Sequence, residues 1–82
     1  RDFMLKAISE AETTLEAVRS GGYSPQTRPL LHSAVGSSGI TGLKRIEMAL
    51  RSIQNAGGDS VGHPLACDAL ARAIVETRKA LN

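Results

Sequence analysis

Few residues in this chain of 82 carry side chains suited to chemistry. They comprise two histidines, His32 and His63, one cysteine, Cys67, and the serines of a glycine-rich stretch that follows His32. Histidine is among the side chains that form covalent intermediates, and near neutral pH its imidazole keeps a lone pair with which to attack. His32 stands inside a helical pattern rather than in a loop, and it is therefore the first candidate for a reactive side chain.

The residues around His32 predict that its ring points into solvent. At about 100° per residue, Leu30 and Ala34 lie about 160° and 200° from His32 and mark an apolar face on the opposite side of the helix. The residues within about 60° of His32 are Arg28, Val35, Gly36 and Gly39. A glycine costs a helix interior roughly 1 kcal/mol relative to alanine. Two glycines beside the imidazole therefore indicate that its ring is open to a large incoming group.

The spacing H-x-x-x-G-S-S-x-x-x-G runs through His32, Gly36, Ser37, Ser38 and Gly42, and an amphipathic segment with Leu43, Arg45 and Ile46 follows. This stretch resembles the histidine phosphotransfer (HPt) domain of multistep two-component phosphorelays. The resemblance covers the whole chain in layout, but its specific part is confined to residues 32–46. The family pattern has a lysine three residues after the histidine, where this chain has Val35.

The resemblance implies a phosphorelay carrier. Such a domain accepts a phosphoryl group on its histidine, here His32, from an aspartate of one receiver domain and passes it to another receiver. It has no kinase activity and needs no cofactor of its own, because Mg²⁺ is expected on the receiver. Arg28, one turn before His32, is the local candidate to attract the phosphoryl group, and Val35, Gly36 and Gly39 would border it. No metal ligands are expected on this chain.

Two other interpretations remain open. The first is an HPt-like helical interaction domain that docks a receiver or another partner without carrying phosphate, and Val35 in place of lysine keeps it open. The second is a structural bundle, which is disfavoured because a structural helix would gain from alanine where this one has glycine. Leu5 lies outside the core stripe of the first helix. It is either an ordinary helix flank or part of a partner-binding patch near the histidine.

Other chemistries find less support in the sequence. The glycine-rich segment 36–42 follows no predicted strand and lacks the Gly-Lys-Ser/Thr ending of a nucleotide-binding loop. Ser37 and Ser38 are interpreted as small packing residues, since no His/Asp partner marks either as a nucleophile. His63 is expected in a loop without a second metal ligand, and Cys67 is expected to be a buried, inert thiol.

Composition predicts one all-α domain over residues 1–82. Hydrophobic residues make up 41%, and only Phe3 and Tyr23 are aromatic, which suits packed helices better than a β-sandwich. The net charge of +2 arises from ten basic and eight acidic residues that are mixed along the chain. This balance predicts neither nucleic-acid binding nor direct membrane contact. We expect a cytoplasmic monomer. Because the chain begins at Arg1 without an initiator methionine, we expect a domain of a longer protein. The resemblance implies a domain that either stands alone or ends a hybrid sensor histidine kinase, and the missing methionine favours the latter, whose other parts would supply any membrane anchor.

Periodicity predicts four helices joined by short connections, arranged as an antiparallel up-down-up-down four-helix bundle. The first covers residues 2–20, and the second begins between Ser24 and Arg28 and loosens at residues 39–42. The third is capped by Thr41 and ends near Ala56, and the fourth begins at Pro64. The predicted core stripes of the first and third helices are Met4, Ile8, Ala11, Leu15 and Val18, and Leu43, Ile46, Leu50 and Ile53. The charged residues expected to be solvated on the first helix are Glu10, Glu12, Glu16 and Arg19.

Overall fold

The protein is all-helical over the residues that the computed structural model describes, which are 2–59 and 62–81. The helices are α1 (Asp2–Gly21), α2 (Arg28–Ile40), α3 (Lys44–Ala56) and α4 (Gly62–Leu81). The all-α prediction is therefore confirmed. None of these helices is both long enough and apolar enough to cross a membrane.

The core stripes of α1 and α3 match the predicted spacing. Ile8, Ala11 and Val18 are fully buried, Leu15 is buried, and Met4 packs against the core from its edge. The stripe of α3 is buried throughout, from Leu43 just before the helix to Ile53. Residues three and four apart lie on one helix face, so this spacing places one apolar stripe of each helix in the interior.

Each helix packs on two neighbours. The α3 helix contacts α2 and α4, and α1 also contacts these two helices, with only a small contact between α1 and α3. The shared core is aliphatic, and α4 adds to it Ala66, Cys67, Leu70, Ala73 and Ile74. The helix α4 begins at Gly62, two residues before the predicted start at Pro64. Ser60, in the connection between α3 and α4, lies outside the described residues.

The connection between α1 and α2 fixes where α2 begins. The hydroxyl of Thr27, which is buried, donates to the Gly22 carbonyl oxygen at 2.9 Å and accepts from the Ser24 backbone N–H at 2.9 Å. Gly22 has a φ of +74°, a left-handed conformation that a side chain would strain. Pro29 lies in the first turn of α2, where its missing N–H costs no helical hydrogen bond.

The connection between α2 and α3 corrects the predicted cap. Thr41 does not cap α3; it ends α2, and its hydroxyl donates to the carbonyl oxygens of Ser37 at 2.8 Å and Ser38 at 3.2 Å. The N-cap of α3 is Leu43, which makes no side-chain cap hydrogen bond. Gly42 has a φ of +76°, so the last glycine of the H-x-x-x-G-S-S-x-x-x-G spacing makes the turn between the two helices.

Candidate functional site

His32 lies on the exposed surface of α2, in the second turn of the helix. No side chain or backbone group in residues 2–59 or 62–81 makes a hydrogen bond to its ring within normal distance. The exposure agrees with the helical wheel. The imidazole is carried on a regular α-helix, whose start is tied to the α1–α2 connection by the Thr27 hydroxyl and whose last turn is closed by the Thr41 hydroxyl.

The buried stripe of α2 is rotated from the predicted one. Leu30, predicted to face the core, is 39% exposed, whereas Leu31, Ala34, Val35 and Ser38 are buried. At about 100° per residue these four residues centre about 110° from His32 rather than opposite it. His32 therefore stands beside the interhelical seam, not at the most solvent-facing position of the helix. Pairs of adjacent apolar residues, such as Leu30 and Leu31, leave the direction of a helix face undecided until its neighbours are known.

Val35 illustrates the consequence of this rotation. Expected on the open face with His32, it is only 8% exposed and belongs to the hydrophobic core. The helical-wheel prediction that Val35 borders His32 on the open face is therefore wrong, because its side chain points toward the packed side of α2. The position where the HPt pattern has lysine is thus occupied here by an aliphatic core side chain.

The two glycines near His32 have different surroundings. A methyl group added at Gly36 would meet no atom within 4 Å, so the surface one turn after His32 is open. At Gly39 the same addition would lie 3.5 Å from Oε2 of Glu47 on α3. Glu47 in turn accepts two hydrogen bonds from Arg51, at 3.0 and 3.2 Å. Gly36 thus leaves free space for an incoming group, whereas Gly39 adjoins an ion pair of α3.

Arg28 is exposed, and its guanidinium carbon lies 5.7 Å from the centroid of the Tyr23 ring. This distance fits a cation–π contact. The contact directs the guanidinium toward the connection between α1 and α2. Arg28 remains one turn from His32 along the chain, but its guanidinium contacts the Tyr23 ring.

A carboxylate that the helical pattern treats as solvated lies beside the candidate site. Glu10 of α1 is half-buried and accepts hydrogen bonds from Ser33 Oγ at 2.8 Å and from Ser37 Oγ at 2.9 Å. Ser33 follows His32 directly, so this interaction joins α1 to α2 next to the imidazole. The role of Glu10 was not predicted, because it depends on how α1 and α2 align. The i, i+4 pair of serines is the signal that could have suggested a shared acceptor.

The serines of the motif are divided between two environments. Ser37 is half-buried and engaged with Glu10, so it does more than fill space. The hydroxyl of Ser38 is fully buried and, within the described part of the chain, has no hydrogen-bond partner. Ser38 therefore lies in the interior as a small packing residue, as the sequence predicts.

An exposed apolar patch borders the same face of α2. Phe3 is 77% exposed and Ile40 is 90% exposed, and both line a concavity of about 250 Å³ between α1 and the end of α2. We call this surface the Phe3–Ile40 patch. On α2, His32, Gly36 and Ile40 are spaced four residues apart and follow one side of the helix. Leu5 is half-buried and lines an adjoining concavity with Phe3, so it lies near this patch rather than in it.

The remaining reactive side chains lie on α4. His63 is half-buried in the first turn of that helix rather than in a loop, and its Nε2 is 3.9 Å from Sγ of Cys67. Cys67 is buried, as predicted, and its burial raises the pKa of the thiol, an effect that the nearby Arg19 partly opposes. The described residues contain no cluster of three or more histidine, cysteine or acidic side chains that could hold a metal ion.

Comparison with known proteins gives no match: neither a family model, nor a curated protein, nor a solved structure corresponds to this chain.

Proposed function

We propose that this protein is a phosphorelay carrier of the HPt kind, in which His32 accepts a phosphoryl group from a receiver-domain aspartate and passes it to a second receiver. The observation that carries the proposal is an exposed imidazole with free space one turn along the helix, at Gly36. The H-x-x-x-G-S-S-x-x-x-G spacing and the helical fold support it. The antiparallel up-down-up-down four-helix bundle belongs to the same proposal.

Phosphoryl transfer requires from the carrier mainly an accessible imidazole ring. A ring nitrogen of His32 attacks the phosphorus of the aspartyl phosphate with its lone pair, and a nitrogen–phosphorus bond forms. The bond between phosphorus and the aspartate oxygen breaks, and its electrons remain on the aspartate carboxylate. The second transfer reverses these steps on another receiver. The receiver supplies Mg²⁺ and the acidic pocket, so the carrier contributes the rigid placement of its nucleophile.

The Phe3–Ile40 patch supports a protein as the phosphoryl donor. Single exposed apolar side chains are common, but here Phe3 and Ile40 line one concavity, and Ile40 lies about two turns along α2 from His32 with Gly36 between them. A receiver domain that covers this patch would pass over Gly36, where no side chain obstructs it. Docking of a receiver would thereby place its aspartyl phosphate next to the imidazole.

The alternative is an HPt-like interaction domain that docks a receiver or another partner without carrying phosphate. The burial of Val35 and the contact of Arg28 with Tyr23 favour it, because neither residue holds a cation at the imidazole. Both functions would use the Phe3–Ile40 patch. They differ only in whether phosphate reaches His32.

The test is transfer of labelled phosphate from a panel of receiver domains that have been charged with acetyl phosphate and Mg²⁺. The proposal predicts that at least one receiver labels the protein, that the label is acid-labile and base-stable, and that His32→Gln abolishes it. Ile40→Ser is expected to slow labelling by the receiver but not by phosphoramidate, a small donor that needs no docking surface. A receiver that binds the protein without labelling it would favour the interaction domain. Labelling that survives in His32→Gln would refute the carrier.

A further inference from the structure

A second surface lies along the seam between α3 and α4. It is a groove of about 470 Å³ lined by Arg45, Met48, Ala49, Ser52, Ala69, Arg72, Ala73 and Glu76. We call it the α3–α4 groove. It shares no residue with the Phe3–Ile40 patch or with the surroundings of His32, so the proposed phosphotransfer does not explain it.

The floor of the α3–α4 groove is made of small side chains. Ala49 and Ala73 are buried, and Ala69 is half-buried. Small residues let another backbone approach closely. Met48 stands at the edge and is 63% exposed, and a flexible thioether of this kind adapts to the shape of an apolar partner. The floor therefore suits the apolar face of a partner segment.

The rim of the groove carries unneutralised positive charge. Elsewhere in the described chain each arginine has a partner: Arg19 pairs with Asp68, Arg51 with Glu47, Arg78 with Glu12, and Arg28 lies over Tyr23. In residues 2–59 and 62–81, Arg45 and Arg72 have neither an ion pair nor a hydrogen bond to an acid, and both line this groove. Among the described residues that line the groove, the acid is Glu76, whose Oε1 is 4.0 Å from Nζ of Lys79, at the outer limit of an ion pair. A partner that covers the groove would therefore be expected to carry acidic groups that pair with Arg45 and Arg72.

The groove is long enough for a helix. Past Arg45 and Glu76 it continues into a second concavity of about 400 Å³ that reaches Gly42 and Lys44. From Gly42 to Ser52 the seam covers eleven residues of α3 and its lead-in, and ten steps of 1.5 Å give a length of about 15 Å. This length matches about three turns of a bound helix, and Lys44 adds a further positive charge along it.

From these features we infer that the α3–α4 groove binds an acidic amphipathic helix of a partner protein. Its apolar stripe packs on the alanine floor and Met48, and its flanking carboxylates pair with Arg45 and Arg72. A second copy of this chain fits less well. A symmetric contact through the groove would bring the two arginines of one copy against those of the other. Two arginines over an apolar floor also lack the basic stripe of a nucleic-acid surface.

The inference is tested with a synthetic helical peptide of about four turns, with leucines on one face and glutamates on both flanks. A matched peptide carries lysine in place of every glutamate. Binding to the 82-residue protein is followed by fluorescence anisotropy, and the bound surface is mapped from backbone amide shifts. The glutamate peptide is expected to bind at least about tenfold more tightly than the lysine peptide. Its affinity should fall at high salt, and its binding should shift the backbone amide resonances of α3 and α4.

Charge reversal on the protein supplies the decisive comparison. Arg45→Glu/Arg72→Glu should lower the affinity for the glutamate peptide by at least about tenfold and raise the affinity for the lysine peptide. The control, Lys6→Glu/Arg19→Glu, makes the same change in net charge away from the groove and should leave both affinities within about twofold. If the double reversal lowers the thermal midpoint, Arg45→Gln/Arg72→Gln gives the same test without added negative charge.

Four results would overturn the inference. They are equal binding of the two peptides, no binding of either, amide shifts that map outside the groove, and equal effects of the groove and control reversals. A dimer in sedimentation that dissociates in Arg45→Glu/Arg72→Glu would assign the groove to a second copy instead. Because the double reversal leaves His32 and the Phe3–Ile40 patch untouched, it is also expected to preserve phosphate transfer, which separates this test from that of the proposed function.

Discussion

Gly36 offers the clearest separation of stability from access to His32. Glycine in a helix interior costs roughly 1 kcal/mol relative to alanine. A methyl group at Gly36 would meet no atom within 4 Å, so no steric penalty offsets the gain in helix propensity. We therefore expect Gly36→Ala to raise the free energy of unfolding by roughly 1 kcal/mol. For a domain of this size, that corresponds to a rise of about 4–8 °C in the thermal midpoint.

Gly36→Leu should be nearly as stable, because leucine is also a strong helix former and the position faces solvent. Its effect on phosphate transfer should be very different. The leucine side chain would stand one turn from His32 on the same side of α2, in the space that a receiver must occupy. A loss of about 1.4 kcal/mol of transition-state stabilisation slows a reaction tenfold, and a displacement of the reacting groups by about 1 Å can lower the rate about a hundredfold. We expect transfer to slow at least about tenfold.

The assay combines thermal unfolding followed by circular dichroism with single-turnover transfer from a charged receiver. Gly36→Ala is the matched control, since it gains the same helix propensity with far less bulk and should transfer at close to the native rate. A lower thermal midpoint in either variant would show that Gly36 is not in open space. Normal transfer in a stable Gly36→Leu variant would refute the claim that this glycine provides access.

Three further predictions follow from individual side chains. Val35→Lys should lower the free energy of unfolding by about 1–3 kcal/mol, because Val35 is a core residue. If the aliphatic part of the introduced lysine lets its ammonium group reach solvent, the added charge should lengthen the lifetime of phosphorylated His32. A double-mutant cycle should then show that Arg28→Ala reduces phosphate transfer less in the Val35→Lys background than in the native protein. Glu10→Ala should lower the free energy of unfolding by about 1 kcal/mol in denaturant titration by removing the acceptor shared by two serines of α2, whereas the exposed Glu16→Ala should change it by less than about 0.5 kcal/mol. Burial raises the pKa of the Cys67 thiol, so its contribution to stability should be complete below the ordinary thiol pKa and decline as pH rises through the raised pKa. Comparing unfolding of the native protein and Cys67→Ala across that range checks this, and an unchanged difference at all pH values would contradict it.

The sequence predicts the helices well where one apolar stripe is unambiguous. The stripe of α1 that includes Ile8 and Ala11, and that of α3 with Leu50 and Ile53, are buried at the predicted positions. Most residues on the other faces of these helices are polar, so one orientation buries most of the apolar side chains and leaves few of them exposed, Phe3 and Met48 among them. The exposure of His32 was predicted correctly although the stripe of α2 was not, because the imidazole lies outside both the predicted and the observed apolar stripe.

The surroundings of His32 were less predictable, because they depend on how the helices align. In α2 both Leu30 and Leu31 could face the core, and contact with α1 and α3 selects Leu31 and turns Val35 inward. The link from Glu10 to Ser33 joins residues 23 positions apart and needs the register between two helices. The cap misassigned to Thr41 reflects a local competition, since a threonine hydroxyl can bond the carbonyls of the turn before it as readily as it caps the next helix.

The most direct measurement is nuclear magnetic resonance of the two histidine rings while the protein is phosphorylated by a charged receiver. His63, half-buried on α4 beside Cys67, serves as an internal control within the same molecule. The account predicts that the ring resonances of His32 move and show coupling to phosphorus, while those of His63 stay in place. Phosphorus coupling at His63, or an acid-stable phosphate on a serine with both histidine rings unchanged, would contradict it.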